Sequence, residues 1–93
     1  MPAAVAVVRE TAAGERRVAV TPEVAKKLKA RGADVVLERG AGESAYFPDA
    51  AYAGCETTDA RSALSRADVL LVVQPPTPDA IGALKEGAIV VGN

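Results

Sequence analysis

Three groups of residues have types and spacings that suggest chemistry, and the first is glycine-rich. Gly40-Ala41-Gly42-Glu43-Ser44-Ala45 reads as G-x-G-x-x-A behind an apolar run, the pattern with which a strand-to-helix turn cradles a pyrophosphate. That use needs a helix that opens at the glycines and aims its amides at the phosphates, whereas Tyr46-Phe47-Pro48 breaks any helix within a few residues. The pattern also follows the second strand, not the first. It is read here as a tight turn leaving the sheet edge, with Tyr46 and Phe47 expected to pack beneath it.

The second group is charged. Arg9, Glu10, Arg16 and Arg17 bunch beyond the first apolar run, and ligands of open α/β sheets bind at the carboxyl ends of strands. Arg9, Glu10 and Arg16 are read as a solvated loop. Arg17 has two open readings, contact with an anionic ligand or with a structural carboxylate, because a guanidinium fork suits either. Gln74, at the end of the most apolar strand, also has two: its amide can give and accept one hydrogen bond each toward a cleft, or satisfy neighbouring backbone groups. The third group is Cys55, the sole cysteine in a chain with no histidine. With nothing to activate it, it is read as a small buried hydrophobe, and no multi-cysteine metal site or internal disulfide is possible. No set of residues supplies nucleophile, base and orienting group together, so no catalytic residue is expected.

The elements that must position these groups alternate. Ala3 to Val8 reads as a strand buried on both faces, and Arg16 to Val20 as a brief extended segment. Thr21-Pro22-Glu23 is a helix start, with a capping hydroxyl, a proline where no amide is needed and an acid at the positive end of the dipole. Val24, Ala25 and Leu28 form its apolar face, and Arg31-Gly32 ends it. Asp34 to Glu38 is the next strand, followed by a short helix over Pro48 to Gly54, an edge strand at Cys55-Glu56-Thr57 and a second helix from Asp59 to Ser65. Asp68 to Val73 is a strand stopped by Pro75-Pro76, Thr77 caps a helix over Pro78 to Lys85, and Ala88 to Val91 is a last buried strand. The order predicts an α/β fold with a doubly wound, mostly parallel sheet, Rossmann-like or flavodoxin-like, and incomplete at its C-terminal end where no covering helix follows.

Composition excludes several classes of function. With 11 basic and 12 acidic residues and no long run of either sign, the chain has no footprint for nucleic acid or an anionic membrane. No apolar run approaches the roughly 20 residues that span a bilayer. Met1-Pro2 and the following apolar run lack the basic start and length of a signal peptide. A core with only 3% aromatic residues must be assembled from many small contacts.

Arg9-Glu10, Gly14-Glu15-Arg16-Arg17-Val18-Ala19-Val20-Thr21-Pro22 and Glu38-Arg39-Gly40-Ala41-Gly42 together resemble the N-terminal domain shared by alanine dehydrogenases and the alpha subunits of proton-translocating NAD(P) transhydrogenases. The likeness runs on through Ala67 to Pro76 and Lys85 to Ala88, and so covers essentially the whole chain. The branches part at one position. In alanine dehydrogenases the strand resembling Asp68 to Val73 leads to a catalytic lysine that contacts the substrate carbonyl, and here Gln74 stands there, as an amide residue commonly does in transhydrogenases. Arg17 matches the arginine that grips the substrate carboxylate in alanine dehydrogenases, and a branch without an amino-acid substrate implies a structural role for it. Where the family keeps a histidine near the last strand, this chain has Gly92-Asn93.

The transhydrogenase resemblance implies that residues 1–93 are part of an N-terminal domain without the glycine fingerprint, with a Rossmann domain for NAD(H) elsewhere in the complete subunit. It implies hydride transfer from NADH to NADP+ on a beta subunit, coupled to proton movement. The implied partners are the rest of the alpha subunit, in a homodimer, and the NADP-binding beta subunit. The implied location is cytoplasmic, peripheral to the inner membrane through those partners. Tight cofactor binding by this chain alone is not expected, nor is activity. Two alternatives stand beside this reading: part of an alanine dehydrogenase-like oxidoreductase, and a free-standing flavodoxin-like binding module, which would need clustered acids after the first strand to hold a cation.

Overall fold

A computed structural model describes residues 3–92. The expectations for Met1-Pro2 and Asn93 lie outside them. Strands β1 (Ala4–Val7), β2 (Asp34–Glu38), β3 (Glu56–Thr58), β4 (Val69–Val72) and β5 (Ile89–Gly92) alternate with helices α1 (Pro22–Ala30), α2 (Ala60–Arg66) and α3 (Pro78–Ala83). The sheet has five strands in the order β3-β2-β1-β4-β5, and every pairing is parallel, where a mostly parallel sheet was expected. Val5 sits in register between Val35 and Val69, which makes β1 the centre of the sheet.

Side-chain alternation along the strands makes two apolar layers. Val7, Val35 and Leu37 join Ala25 of α1 and the buried Val18, Val20, Ala41 and Tyr52 on one face. Ala6, Val36, Leu70 and Val72 meet Ala63 and Leu64 of α2 on the other, with Ala80 and Ala83 of α3 packed against that cluster. Right-handed crossovers require this division, because the chain winds from β1 outward to β3 and then reverses across β1 to β4 and β5.

Local signals set the helix ends. Thr21 is extended and its hydroxyl accepts the Val24 N–H at 3.3 Å, Pro22 opens α1, and Gly32 at φ 93° follows its last turn. Thr21→Ala is expected to lower unfolding free energy by about 1 kcal/mol in urea titrations followed by circular dichroism, and an unchanged midpoint would mean that the cap contributes nothing. Asp59 and Thr77 cap α2 and α3 in the same way.

Several expectations need correction. Arg16 to Val20 forms no ladder, although Val18 and Val20 are buried. The helix expected over Pro48 to Gly54 is a single 3-10 turn, Asp49–Ala51. Phe47 packs on the core, but Tyr46 takes φ 67° and is 81% exposed, because the turn carries it past the sheet edge. Val24 is half-exposed beside the buried Ala25. α3 ends at Ala83, which frees Lys85 to reach the Asp68 carboxylate at 2.6 Å. β5 is open to solvent, with Ile89 59% exposed, since no element among the described residues covers that end of the sheet.

Candidate functional site

The sheet order places the topological switch point between β1 and β4, whose following connections run to opposite faces. The loop after β1 and the Val73-Gln74-Pro75-Pro76 segment after β4 meet there. Their junction opens into a cleft of about 880 Å3 bounded by Val8, Glu10, Leu64, Val72, Gln74 and Pro75.

Two carboxylates make that junction. Glu10 accepts the backbone N–H of Val73 at 3.0 Å and of Gln74 at 3.1 Å, so it is a structural clamp and not part of a solvated loop. Arg9 and Arg16 are exposed as expected, and the Arg9 N–H donates to Glu38 at 2.8 Å. Arg17 meets a structural carboxylate, its own neighbour Glu15. The Arg17 Nε and Nη2 donate to the two oxygens of Glu15 at 2.9 and 2.8 Å, and its backbone N–H adds a third bond at 2.9 Å.

The Gln74 side chain donates from Nε2 to the same Glu15 at 2.8 Å. Arg17 and Gln74, distant in the chain, are thus brought together by a residue that sequence reading passed over. The Arg17 side chain remains 68% exposed, against 7% for Glu15. Hydrogen bonds from Arg17, then from Gln74, hold the Glu15 carboxyl far below the usual carboxylate range, so it is an anion at any physiological pH. A signal for it exists: a carboxylate two residues before an arginine can accept both that arginine's backbone N–H and its guanidinium, as Glu15 does here.

The glycine turn is committed to itself. The Gly40 N–H donates to the Asp49 carboxylate at 2.9 Å, the Ala41 N–H to the Glu38 carbonyl at 2.9 Å, and the Glu43 N–H to the Gly40 carbonyl at 3.1 Å. A 3-10 turn over Glu43–Ala45 follows instead of a helix. These residues do not fit a dinucleotide pyrophosphate, which needs free amides at a helix start. Cys55 is half-buried against the α1-side core, and burial raises its thiol pKa, which disfavours a nucleophilic thiolate. Among the described residues, no group of three or more His, Cys, Asp or Glu side chains converges to hold a metal ion, so the cation site of a receiver-like module has no ligand set. No helix among them is long and apolar enough to cross a membrane.

The chain matches other proteins over nearly its full span. Residues 6–93 match the family model described as alanine dehydrogenase/PNT, N-terminal domain. An NAD(P) transhydrogenase alpha-subunit protein of Rhodospirillum rubrum is 40% identical over 95 residues, covering 94% of this chain and 25% of that protein. The crystal structure of a transhydrogenase from Sinorhizobium meliloti superposes with a TM-score of 0.88 at 39% identity, over 96% of this chain and 27% of the other. An L-alanine dehydrogenase structure superposes at 0.84 with 26% identity, over 96% and 25%. The chain therefore spans about a quarter of the length of these relatives. A parallel five-stranded sheet in this order, the match across residues 6–93 and the likeness to both enzyme types lead to one assignment: the chain belongs to the alanine dehydrogenase/PNT N-terminal domain family.

Proposed function

We propose that this chain is the opening part of the N-terminal domain of an NAD(P) transhydrogenase alpha subunit and serves hydride transfer from NADH to NADP+ as part of that larger subunit. Gln74 carries the reading. At the carboxyl end of β4, where alanine dehydrogenases place a catalytic lysine, this chain holds a neutral amide anchored through its backbone by Glu10 and through its side chain by Glu15. An amide supplies no cation to polarise a substrate carbonyl.

The domain's own residues supply positioning at the switch point. The dinucleotide is held by a further Rossmann domain of the complete subunit, since the glycine turn here opens no helix and ties its Gly40, Ala41 and Glu43 amides internally. Coupling to proton movement, the NADP-binding beta subunit, the homodimer and a cytoplasmic location at the inner membrane face belong to the same proposal. The exposed apolar faces of β5, with Ile89 and Val91 uncovered on one side and Val90 on the other, support a larger assembly in which more polypeptide packs on this sheet edge.

Calorimetric titration with NADH tests the reading, using this chain beside a version extended by about 200 residues, the span of one further domain. Binding confined to the extended protein is expected. Micromolar binding to residues 1–93 would contradict the proposal and return the Gly40–Ala45 turn to consideration as a nucleotide loop. NADH oxidation that depends on pyruvate and ammonium would instead favour the alanine dehydrogenase branch.

A further inference from the structure

The Glu15 carboxylate hydrogen-bonds both Arg17 and Gln74. Its Oε1 accepts from the Arg17 Nη2 and the Gln74 Nε2, each at 2.8 Å, and its Oε2 accepts from the Arg17 Nε and backbone N–H, each at 2.9 Å. All four acceptor positions of the carboxylate are filled. Among the described residues, the Arg17 Nη1 and the Gln74 carbonyl oxygen have no protein hydrogen-bond partner.

We infer that Glu15 is a positioning residue, fixing Arg17 and Gln74 as one unit so that the guanidinium offers its Nη1 edge and the amide its carbonyl oxygen at the switch point. The orientation of an isolated glutamine amide is not set, since either end can face a cleft. Donation of the Gln74 Nε2 to an anion removes that freedom and leaves the oxygen outward. The same anion stops the Arg17 fork from turning, since its two engaged nitrogens hold the plane. The unit therefore presents one donor edge and one acceptor, joined through the Glu15 carboxylate. The geometry of this unit is independent of the proposed reaction, and only the kinetic arm of its test rests on the transhydrogenase reading.

The test uses the complete subunit carrying this domain, as wild type and Glu15→Gln. In Glu15→Gln the new amide N–H2 faces a donor of Arg17 or Gln74, so one of them must turn away. Crystal structures of the two proteins are expected to show Arg17 or Gln74 displaced in the variant. In the transhydrogenase assay with the beta subunit, kcat/KM is expected to fall about tenfold in Glu15→Gln, the scale of one charge-assisted bond left unmade.

Unchanged positions of Arg17 and Gln74 in the Glu15→Gln crystal structure would overturn the inference whatever the activity. An active wild type with an unaffected Glu15→Gln variant would overturn it as well. An inactive wild type would contradict the proposed function and leave the crystallographic comparison to decide the role of Glu15.

Discussion

Gly42→Ala is expected to destabilise the protein by about 3 kcal/mol, at the upper end of what an extra carbon costs in a filled core. The reason is space and not backbone freedom, since Gly42 has φ −97°, open to any residue. A Cβ there would lie 2.6 Å from the Tyr52 hydroxyl, 2.8 Å from the Phe47 carbonyl oxygen and 3.0 Å from the Phe47 Cβ. Neither neighbour yields cheaply. The hydroxyl is bonded to the Val20 carbonyl at 2.7 Å, and the Phe47 backbone is tied back by its own N–H to the Gly42 carbonyl at 2.9 Å. Urea unfolding followed by circular dichroism measures the effect. The result also bears on what the glycine is for: a glycine kept for approach to a phosphate would leave stability intact on substitution and alter binding alone. A variant within about 0.5 kcal/mol of wild type, the range of an inconsequential surface change, would contradict the packing account.

The parts of the fold that could be read from the chain are those with short-range causes. Thr21-Pro22 and Gly32 bracket α1 because capping is decided within one turn, and the apolar run from Val69 stops at Pro75-Pro76 because proline has no N–H. Alternation of strands and helices was enough for the layer architecture, as a parallel sheet needs a crossover between neighbours. What could not be read depends on partners far along the chain. Glu10 meets Val73 and Gln74, and Glu15 meets Gln74, across about sixty residues, and nothing near Glu10 indicates that its carboxylate caps another strand's end. The exposure of β5 accords with the incompleteness expected at that end of the sheet, although the apolar run alone predicts burial, because burial is decided by whether another element lies over it.

The site follows the same division. Arg17 and Gln74 could be nominated because residue type and strand-end position suffice for that, and each carried two open readings. Arg17 meets a carboxylate, and Gln74 meets a side chain instead of backbone groups alone. Their mutual placement was not visible, since it runs through Glu15. The Tyr46 and Phe47 pair shows how a turn divides adjacent aromatics: one residue at φ 67° is turned outward while the next fills the core.

Tyr52→Phe is expected to cost about 1–3 kcal/mol at neutral pH, because it leaves the buried Val20 carbonyl without its donor. The ring is 3% exposed, and its hydroxyl ties the segment before α1 to the loop before β3 on the same face of the sheet. The substitution also removes a titration. Burial, with smaller contributions from Cys55 and Asp49, pushes the Tyr52 hydroxyl up to about 12 from an ordinary 10.0. Between those values the unfolded chain has released a proton that the folded chain still holds. The unfolded state then binds fewer protons, so stability falls as pH rises. The Tyr52 contribution is complete below about pH 10 and lost by about pH 12, a decline of roughly 2–3 kcal/mol for two pKa units. The difference between wild type and Tyr52→Phe is the informative quantity, because every titration common to both proteins cancels in it. Urea unfolding of both proteins from pH 8 to 12 is expected to show a gap that is constant up to about pH 10 and closes above it. A gap that persists to pH 12 would mean that the hydroxyl ionises alike in folded and unfolded protein, and that the bond to Val20 does not keep it protonated.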